Sequence, residues 1–453
     1  MGGDTQFYLR RIMKEKEKCE KISGLPGKDW REIMKEFCLY PSAGKTALTK
    51  EEIQKSVDEM VSTYKGSGKR LLLIVPDYTR YQSCAGLIAN TIYHALADCQ
   101  VDLLQALGTH APMTREECRI MYGDIPFEKI LPHNWKKDVV KIGEIPAELA
   151  REVSQGILEE SICVEVNRLV VEGGYDEIIS IGQVVPHEIV GMANQSKNIF
   201  VGVGGSGMID ASHALGAFYG MERIMGRDKT PVRILFDYAL ENFLSHVPIT
   251  FVLTVTTADN TDVTVHGVFG GADRSYFEKA VALAQTHNLA VVEKPVKKMV
   301  VYLDPAKFKS TWLGNKAIYR TRMAIADGGE LVVLAAGVER FGEDDTADAL
   351  IRKYGYCGLN TVNELRKTQK DMQENMSATA HLVHGSTDGR FQVTYCTQKV
   401  TKEEVESVCF QYMPYEEAIK TYDPHTLQDG WNQLPNGEEF YYISNPALGL
   451  WKI

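Results

Sequence analysis

The feature that most constrains the fold is an alternation of continuous apolar runs with amphipathic helical stretches, which begins at Lys69. Residues 71–75, 101–107 and 175–185 form three apolar runs, and helical patterns follow the first two. Strands that are apolar on both faces are typical of parallel sheets that helices cover on both sides. We therefore expect an α/β fold with mostly parallel sheets.

The same alternation resumes in the second half of the 453-residue chain, which is long enough for more than one domain. Strands are predicted at 298–303 and 331–335, around a helix at 311–326, and the glycine-rich stretch 265–272 is the best hinge candidate. We predict two α/β domains. The predicted divisions are an N-terminal helical segment at 1–68 that packs on the first domain, a first α/β domain at 69–268, and a second α/β domain at 269–453.

Capping signals place two of the helices. Thr49 and Glu52 form a capping-box pattern, and Thr114 and Glu117 form another. An amphipathic helix is also predicted over residues 6–22.

Composition excludes several classes of partner. The formal net charge of −10 disfavours nucleic acid and anionic membranes, both of which attract basic surfaces. No apolar run is long enough to span a bilayer, and the N-terminus lacks the apolar core of a signal peptide, so a cytoplasmic protein is expected. The nine cysteines are scattered without a CxxC pair, which predicts reduced thiols and argues against a cysteine-built metal site.

Polar side chains follow three predicted strands at the point where each strand ends. Asp77, Thr79 and Arg80 follow the first strand, His110 follows the second, and His187 follows the third. Ligands of open parallel sheets bind beyond the carboxyl ends of the strands. These five side chains therefore favour a binding site over five unrelated capping or surface residues.

A glycine-rich loop offers a weaker signal. Gly202, Gly204 and Gly207 satisfy the G-x-G-x-x-G spacing, but only a short apolar stretch precedes them, and Arg227 stands where a dinucleotide site needs an acid. The loop still suits a nucleotide phosphate through its backbone amides.

Two histidines in the second half, His381 and His384, lie three residues apart and could form a metal pair on a helix face. No third ligand is evident nearby. We expect polar, solvent-facing histidines instead.

Taken together, the motifs resemble the lactate racemase family, whose members depend on a nickel-pincer nucleotide. The matching segments are Asp77-Tyr-Thr-Arg80, Gly108-Thr-His-Ala-Pro-Met113 and Gly182-Gln-Val-Val-Pro-His187, followed by Lys197 and His213 at the family's spacing. The resemblance is good over about 71–243 and looser beyond.

The resemblance implies that 69–268 is the catalytic and cofactor-binding domain, and that the domain at 269–453 closes over an active site in the cleft between the two. Lys197 is similar to the lysine that attaches the nickel-pincer nucleotide covalently through a thioamide, and His213 is similar to the protein ligand of nickel. Asp77 and Thr79 match cofactor-binding positions. The enzymes that synthesise the cofactor are then expected partners.

The resemblance also implies a reaction. His110 and His187 are similar to the two catalytic acid–bases, while Arg80 and Lys316 match residues that hold the substrate carboxylate. The implied activity is racemisation or epimerisation at C2 of a 2-hydroxy acid, by reversible hydride transfer to the cofactor through a 2-keto acid. An imidazole on each face suits this inversion, because it titrates near neutral pH.

The expected substrate is less defined, because the sequence departs from the family near the pocket. Ala111 replaces an arginine, Asn194 and Gln195 replace two glycines, and Trp312 and Leu313 replace a Tyr-Gln pair. A sugar acid of the gluconate or mannonate type is preferred over lactate, and malate-like diacids remain open. Aromatic residues near the C-terminus suit a longer hydroxylated acid or simply pack the second domain, namely Tyr412, Tyr415, Tyr422, Trp431, Tyr441 and Tyr442.

Two other functions remain as alternatives. An NAD-dependent 2-hydroxy acid dehydrogenase would use the glycine-rich loop and release keto acid. A non-catalytic carboxylate- or nucleotide-binding protein would keep Arg80 and Lys316 but would have no use for the paired histidines with Lys197.

Overall fold

Strands and helices alternate along the chain in this computed structural model, which describes residues 34–258 and 262–453. The predicted helix at 6–22 lies outside the described residues. The strands are β1 (Phe37–Leu39), β2 (Arg70–Pro76), β3 (Gln100–Ala106), β4 (Ile130–Leu131), β5 (Val139–Ile145), β6 (Ile162–Asn167), β7 (Glu177–Gln183), β8 (Pro186–His187), β9 (Gly191–Met192), β10 (Ile249–Ala258), β11 (Val263–Gly271), β12 (Leu289–Val291), β13 (Val296–Tyr302), β14 (Ile325–Leu334), β15 (Gln392–Thr397), β16 (Gln411–Pro414), β17 (Gly430–Gln433), β18 (Glu439–Ile443) and β19 (Leu450–Lys452).

The α-helices are mostly short and connect these strands. They are α1 (Lys50–Met60), α2 (Ala85–Ala95), α3 (Arg115–Tyr122), α4 (Ala147–Ser154), α5 (Arg168–Glu172), α6 (Ser206–Phe218), α7 (Met221–Ile224), α8 (Pro231–Phe243), α9 (Arg274–Asn288), α10 (Thr311–Gly314), α11 (Lys316–Tyr319), α12 (Asp345–Tyr354), α13 (Leu359–Leu365), α14 (Lys370–Glu374), α15 (Met376–His384), α16 (Lys402–Ser407) and α17 (Tyr415–Thr421). The helices α1 and α3 begin with the predicted capping boxes, at Thr49 with Glu52 and at Thr114 with Glu117.

The first sheet has seven strands in the order β1-β11-β10-β7-β2-β3-β4. The strands from β10 to β4 run parallel, and β11 and β1 add an antiparallel edge. The three apolar runs predicted as strands are β2, β3 and β7, and every residue of β7 is buried. The parallel order brings the carboxyl ends of β2, β3 and β7 to one edge, as the sequence predicts.

The second sheet has six strands in the order β16-β15-β14-β13-β18-β17, and all neighbours are parallel except β17 with β18. Its core contains Val301, Val333 and Tyr395, which are buried. The mixed α/β class with mostly parallel sheets is confirmed. Both sheets lie within one compact unit, residues 35–453.

Two local predictions are wrong. Residues 265–272 form most of β11, which pairs with β1 on one side and β10 on the other, and so are not a hinge. Their glycines make room for large neighbours instead, because a Cβ at Gly270 would lie 2.3 Å from the ring of Phe37. The predicted helix at 311–326 is two single turns, α10 and α11, and the chain then enters β14 at Ile325.

The C-terminal aromatic residues pack against the second sheet. Tyr422 and Tyr442 are buried in one of its apolar clusters, and Tyr412 and Tyr441 lie against another. Of the two interpretations, packing describes these four residues, whereas Trp431 is exposed. No helix in the described ranges has the length and apolar character that a bilayer crossing requires.

Candidate functional site

The turn after β2 builds one wall of the site. Asp77 caps this turn by accepting a hydrogen bond from the backbone N–H of Thr79 (2.9 Å), and its other carboxylate oxygen lies 2.6 Å from Nδ1 of His110. Arg80 donates to the hydroxyl of Thr79 (2.8 Å). Burial opposes ionisation of Asp77, but the His110 hydrogen bond and the nearby Arg80 hold the pKa of Asp77 well below its usual range. An ionised Asp77 therefore fixes the hydrogen of His110 on Nδ1 and leaves Nε2 able to accept a proton.

The second imidazole, His187, ends β8 and is mostly buried. The backbone N–H of Ile189 donates to Nδ1 of His187 (3.2 Å), and the carboxylate of Glu188 lies 3.6 Å from the same nitrogen. Burial lowers the pKa of His187 well below its usual value, and nearby Lys197 and Arg80 lower it further. The resting ring is therefore neutral and carries its hydrogen on Nε2.

Lys197 follows the loop at 192–196 and precedes a π-helical turn, Asn198–Gly202. Burial lowers the pKa of Lys197 to about 8, and the cation of Arg80 contributes in the same direction. The amine is thus partly neutral near pH 7, which an amine needs in order to act as a nucleophile. The π-helical turn stands where a dinucleotide fingerprint needs a strand, so the G-x-G-x-x-G spacing does not make a Rossmann motif here.

The loop before Lys197 has an unusual backbone that a buried guanidinium supports. Asn194 and Gln195 have φ values of 69° and 56°, a region that glycine adopts most readily. Arg233, which is 1% exposed, donates to the carbonyls of Met192 (2.6 Å) and Asn194 (3.1 Å). It also donates to the side-chain oxygens of Gln195 (3.3 Å) and Ser196 (2.8 Å). These bonds hold the loop in a conformation that its side chains would otherwise disfavour.

His213 lies in α6 with a geometry that suits a metal ligand. Its Nδ1 donates to the carbonyl of Ile209 (2.6 Å), so Nε2 keeps its lone pair. Burial lowers the pKa of His213 to about 4, and the ring stays neutral at physiological pH. No group of three His, Cys, Asp or Glu side chains within 34–258 and 262–453 could hold a metal ion by itself. A metal at His213 would therefore need further donors from elsewhere.

Three residues of the second half face this cluster. Lys316 begins α11, Tyr319 ends it and Arg320 follows directly. Burial and the cations of Arg80 and Arg320 lower the pKa of Lys316 to about 7. Burial raises the pKa of Tyr319 well above its usual value, and the phenol stays protonated. The site thus has a second wall with cationic and hydroxyl groups.

His381 and His384 correct the expectation that they face solvent. Both are buried, with 6% and 4% exposure, on α15. His381 stacks on Trp312 (4.3 Å between ring centroids), and its Nε2 lies 3.1 Å from the Trp312 carbonyl. They are buried because α15 packs on α6, which carries His213.

All eight predicted site residues meet in this one cluster. Asp77 forms hydrogen bonds with Thr79 and His110, and its charge affects the pKa values of Lys197 and Lys316. The charges of Arg80 and Lys197 affect the pKa of His187, and the charge of Lys197 also affects that of His213. Sequence reasoning missed Glu188, Tyr319, Arg320 and His384. Glu188 directly follows His187, and Tyr319 and Arg320 lie within one helical turn of Lys316. The uncharged sequence of α15 indicates a buried helix, which argues against solvent-facing histidines.

The fold and the site define an α/β protein with a largely buried cluster of imidazoles and cationic side chains. Residues 35–224 match the family described as the lactate racemase N-terminal domain. This match confirms the predicted resemblance and supports a racemase-type function, of the isomerase class.

Two solved structures share the fold. A protein from Thermotoga maritima is 24% identical with a TM-score of 0.77, and the match covers 90% of this chain and 99% of that chain. The lactate racemase apoprotein from Thermoanaerobacterium thermosaccharolyticum is 17% identical with a TM-score of 0.67, and the match covers 95% and 97% of the two chains. No curated protein matches the sequence.

Proposed function

We propose that this protein is a cytoplasmic racemase or epimerase that inverts C2 of a 2-hydroxy acid with a nickel-pincer nucleotide attached to Lys197. The observation that carries the proposal is the meeting of two differently held imidazoles, His110 and His187, with a partly neutral Lys197 and a neutral His213. Among candidate substrates we prefer a sugar acid of the gluconate or mannonate type.

The residues present fit this cofactor. Lys197 offers an amine for covalent attachment, and the free Nε2 of His213 offers one metal donor. The described part of the chain has no complete metal cluster of its own, which matches a metal whose remaining donors belong to the cofactor. Asp77 and Thr79 would help to hold the cofactor. When bound, the nickel-pincer nucleotide supplies an acceptor for the C2 hydrogen as hydride, so that the alcohol passes through a planar 2-keto acid.

The side chains of this protein manage the substrate and its proton. Arg80 and Lys316 would bind the carboxylate, and the fork of the guanidinium suits both oxygens. A bound carboxylate also favours the charged form of Lys316, whose pKa is otherwise lowered to about 7. The two cations therefore become a stronger anion site when substrate enters.

His110 and His187 have opposite roles in proton transfer. His110 is held by Asp77 with Nε2 free, and is ready to accept the hydroxyl proton of the substrate. The neutral His187 must first gain a proton before it can return one to the carbonyl oxygen, and the adjacent Glu188 stabilises the cation that results. Each imidazole would thus serve one enantiomeric face, and their roles exchange in the reverse reaction.

The test is inversion by nickel-loaded protein of a panel of chiral 2-hydroxy acids in D2O, followed by chiral chromatography and mass spectrometry. We expect inversion without deuterium at C2, and a mass adduct on the Lys197 peptide. His110→Ala and His187→Ala should each lower the inversion rate by at least about 100-fold, the usual contribution of a general acid–base. Both variants should keep the wild-type melting curve.

Three results would contradict the proposal. Normal inversion by either histidine variant removes the assigned roles, and an unmodified Lys197 in active protein removes the tether. Net release of keto acid with exchangeable nicotinamide would instead identify a dehydrogenase. Binding of acids without inversion would identify a non-catalytic binding protein.

A further inference from the structure

His384 has a buried nitrogen that the fold leaves without a partner. The residue is 4% exposed, and no group in the described ranges bonds its Nε2. Buried polar atoms in proteins are nearly always hydrogen-bonded, and each exception calls for an explanation. An unpaired buried group of this kind costs about 1–3 kcal/mol. A ligand that bonds Nε2 would remove this cost.

The position of His384 shows which ligand could reach it. Helix α15 packs on α6, which carries His213, and the His384 ring lies edge-on to Tyr319 with 6.2 Å between the ring centroids. His384 also interacts electrostatically with Glu188, the neighbour of His187. It therefore borders the same cluster as Lys316 and the imidazoles, on the wall that the second half of the chain contributes.

We propose that His384 binds a hydroxyl group of the substrate beyond C2 and thereby selects polyhydroxy acids over short 2-hydroxy acids. This inference rests on the proposed function. The substrate carboxylate would be held by Arg80 and Lys316, and an acid as short as lactate offers only a methyl group beyond C2. That methyl group would leave Nε2 unpaired.

An alcohol suits this position because its oxygen both donates and accepts hydrogen bonds, whichever nitrogen of His384 carries the hydrogen. Burial lowers the pKa of His384 to about 3, so the ring is neutral and does not itself attract an anion. The protonated phenol of Tyr319 lies on the same wall and adds a donor, and the nearby carboxylate of Glu188 from the first half of the chain adds an acceptor. This set of groups fits a chain of hydroxyls.

The same wall disfavours a second carboxylate. Burial opposes ionisation of Glu188, but the neighbouring imidazole of His187 and the permanent charge of Arg320 lower the pKa of Glu188 well below its usual range, and its negative charge would repel a diacid. Arg322, the next arginine, is already paired with Glu222 (2.6 Å) and Asp388 (2.8 Å). Arg320 itself donates to the carbonyl of Gly449 (3.3 Å) and faces Glu188. These two arginines therefore already interact with groups of the protein, whereas Arg80 and Lys316 are assigned to the first carboxylate.

The experiment compares D-gluconate, D-malate and D-lactate on nickel-loaded wild-type protein, His384→Phe and His384→Gln. KM is measured from inversion, and binding is measured by calorimetry. We expect His384→Phe to raise KM and weaken binding for gluconate about tenfold more than for lactate, the effect of one hydrogen bond. His384→Gln keeps a side-chain donor and acceptor and should recover most of the gluconate affinity. Melting curves show that each variant is folded.

Several outcomes would overturn the inference. Equal losses for gluconate and lactate would show a structural role, and tighter binding of malate than of gluconate would show a diacid site. If the wild type binds gluconate, and His384→Phe weakens this binding, but nothing is inverted, the proposed reaction fails while the role of His384 stands. If gluconate does not bind the wild type, the role of His384 fails whatever other acids are inverted.

Discussion

The ionisation of Lys197 can be tested directly, because its amine is predicted to be far less basic than that of an ordinary lysine. Its pKa is lowered from 10.5 to about 8, first by burial and then by the cation of Arg80. At pH 7 roughly one amine in ten is then neutral, which is about 300-fold more than for a lysine with the reference pKa. This difference would make Lys197 the preferred target of a reagent that attacks neutral amines.

Two substitutions should move the pKa of Lys197 in opposite directions. Arg80→Met removes a neighbouring cation and should raise it, whereas Glu188→Gln removes a neighbouring anion and should lower it. A unit charge several Å away contributes on the order of 1–2 kcal/mol at an effective dielectric constant of ~20, which is about one pKa unit. The two variants should therefore differ by about two pH units in the titration midpoint.

The assay is a short pulse of acetic anhydride between about pH 6 and pH 12 on protein without attached cofactor, with peptide mass spectrometry as the readout. The midpoint of the pH profile gives the pKa of Lys197 independently of how easily the reagent enters, and the exposed Lys370 serves as an internal reference. A wild-type midpoint near 10.5 would refute the argument from burial. Shifts of the same sign in both variants would refute the argument from neighbouring charges.

Two further predictions concern residues that support the site and the first sheet. Arg233→Lys keeps a charge but loses the planar guanidinium that bonds the loop before Lys197. The free energy of unfolding should therefore fall by about 2–3 kcal/mol, and the midpoint of Lys197 labelling should rise. An unchanged midpoint would contradict this positioning role. Burial raises the pKa of Glu177 from 4.5 to about 7, so its contribution to stability is complete below pH 4.5 and is lost as pH rises through 7, about 3 kcal/mol in all. Glu177→Gln should therefore flatten the fall in stability between pH 5 and pH 8 in urea unfolding, and parallel pH profiles for variant and wild type would contradict this.

Three strands of the first sheet were predictable because they are continuous apolar runs. Local patterns of this kind depend on neighbouring residues alone, and β2, β3 and β7 appear where the pattern predicts them. The convergence of Asp77 and His110 also followed from a general property of parallel sheets, whose carboxyl ends share one edge.

Other features depend on contacts between distant parts of the chain. The glycines of β11 suggest flexibility in sequence, but Phe37 and Met60, more than 200 residues earlier, occupy the space beside Gly270. His384 is buried because α15 packs on α6, which the chain forms much earlier. The uncharged sequence of α15 indicates a buried helix, but it does not show which element covers it.

Asn194 and Gln195 show how side chains can support a backbone conformation that glycine adopts most readily. Both residues have positive φ values. The side-chain oxygen of Gln195 accepts from Arg233 and from the backbone of Ser196, which offsets the strain of that conformation. The local sequence does not reveal this support, because Arg233 lies 38 residues away along the chain.

The amine of Lys197 acquires its low basicity from burial and from cations that lie as far apart in sequence as Arg80 and Arg233. A nascent or denatured chain lacks that environment, and its lysine has the proton affinity of any other. Covalent attachment at this position would thus come after folding, because only the native state lowers the pKa of this amine. Misfolded copies would remain unmodified, without any separate mechanism to reject them.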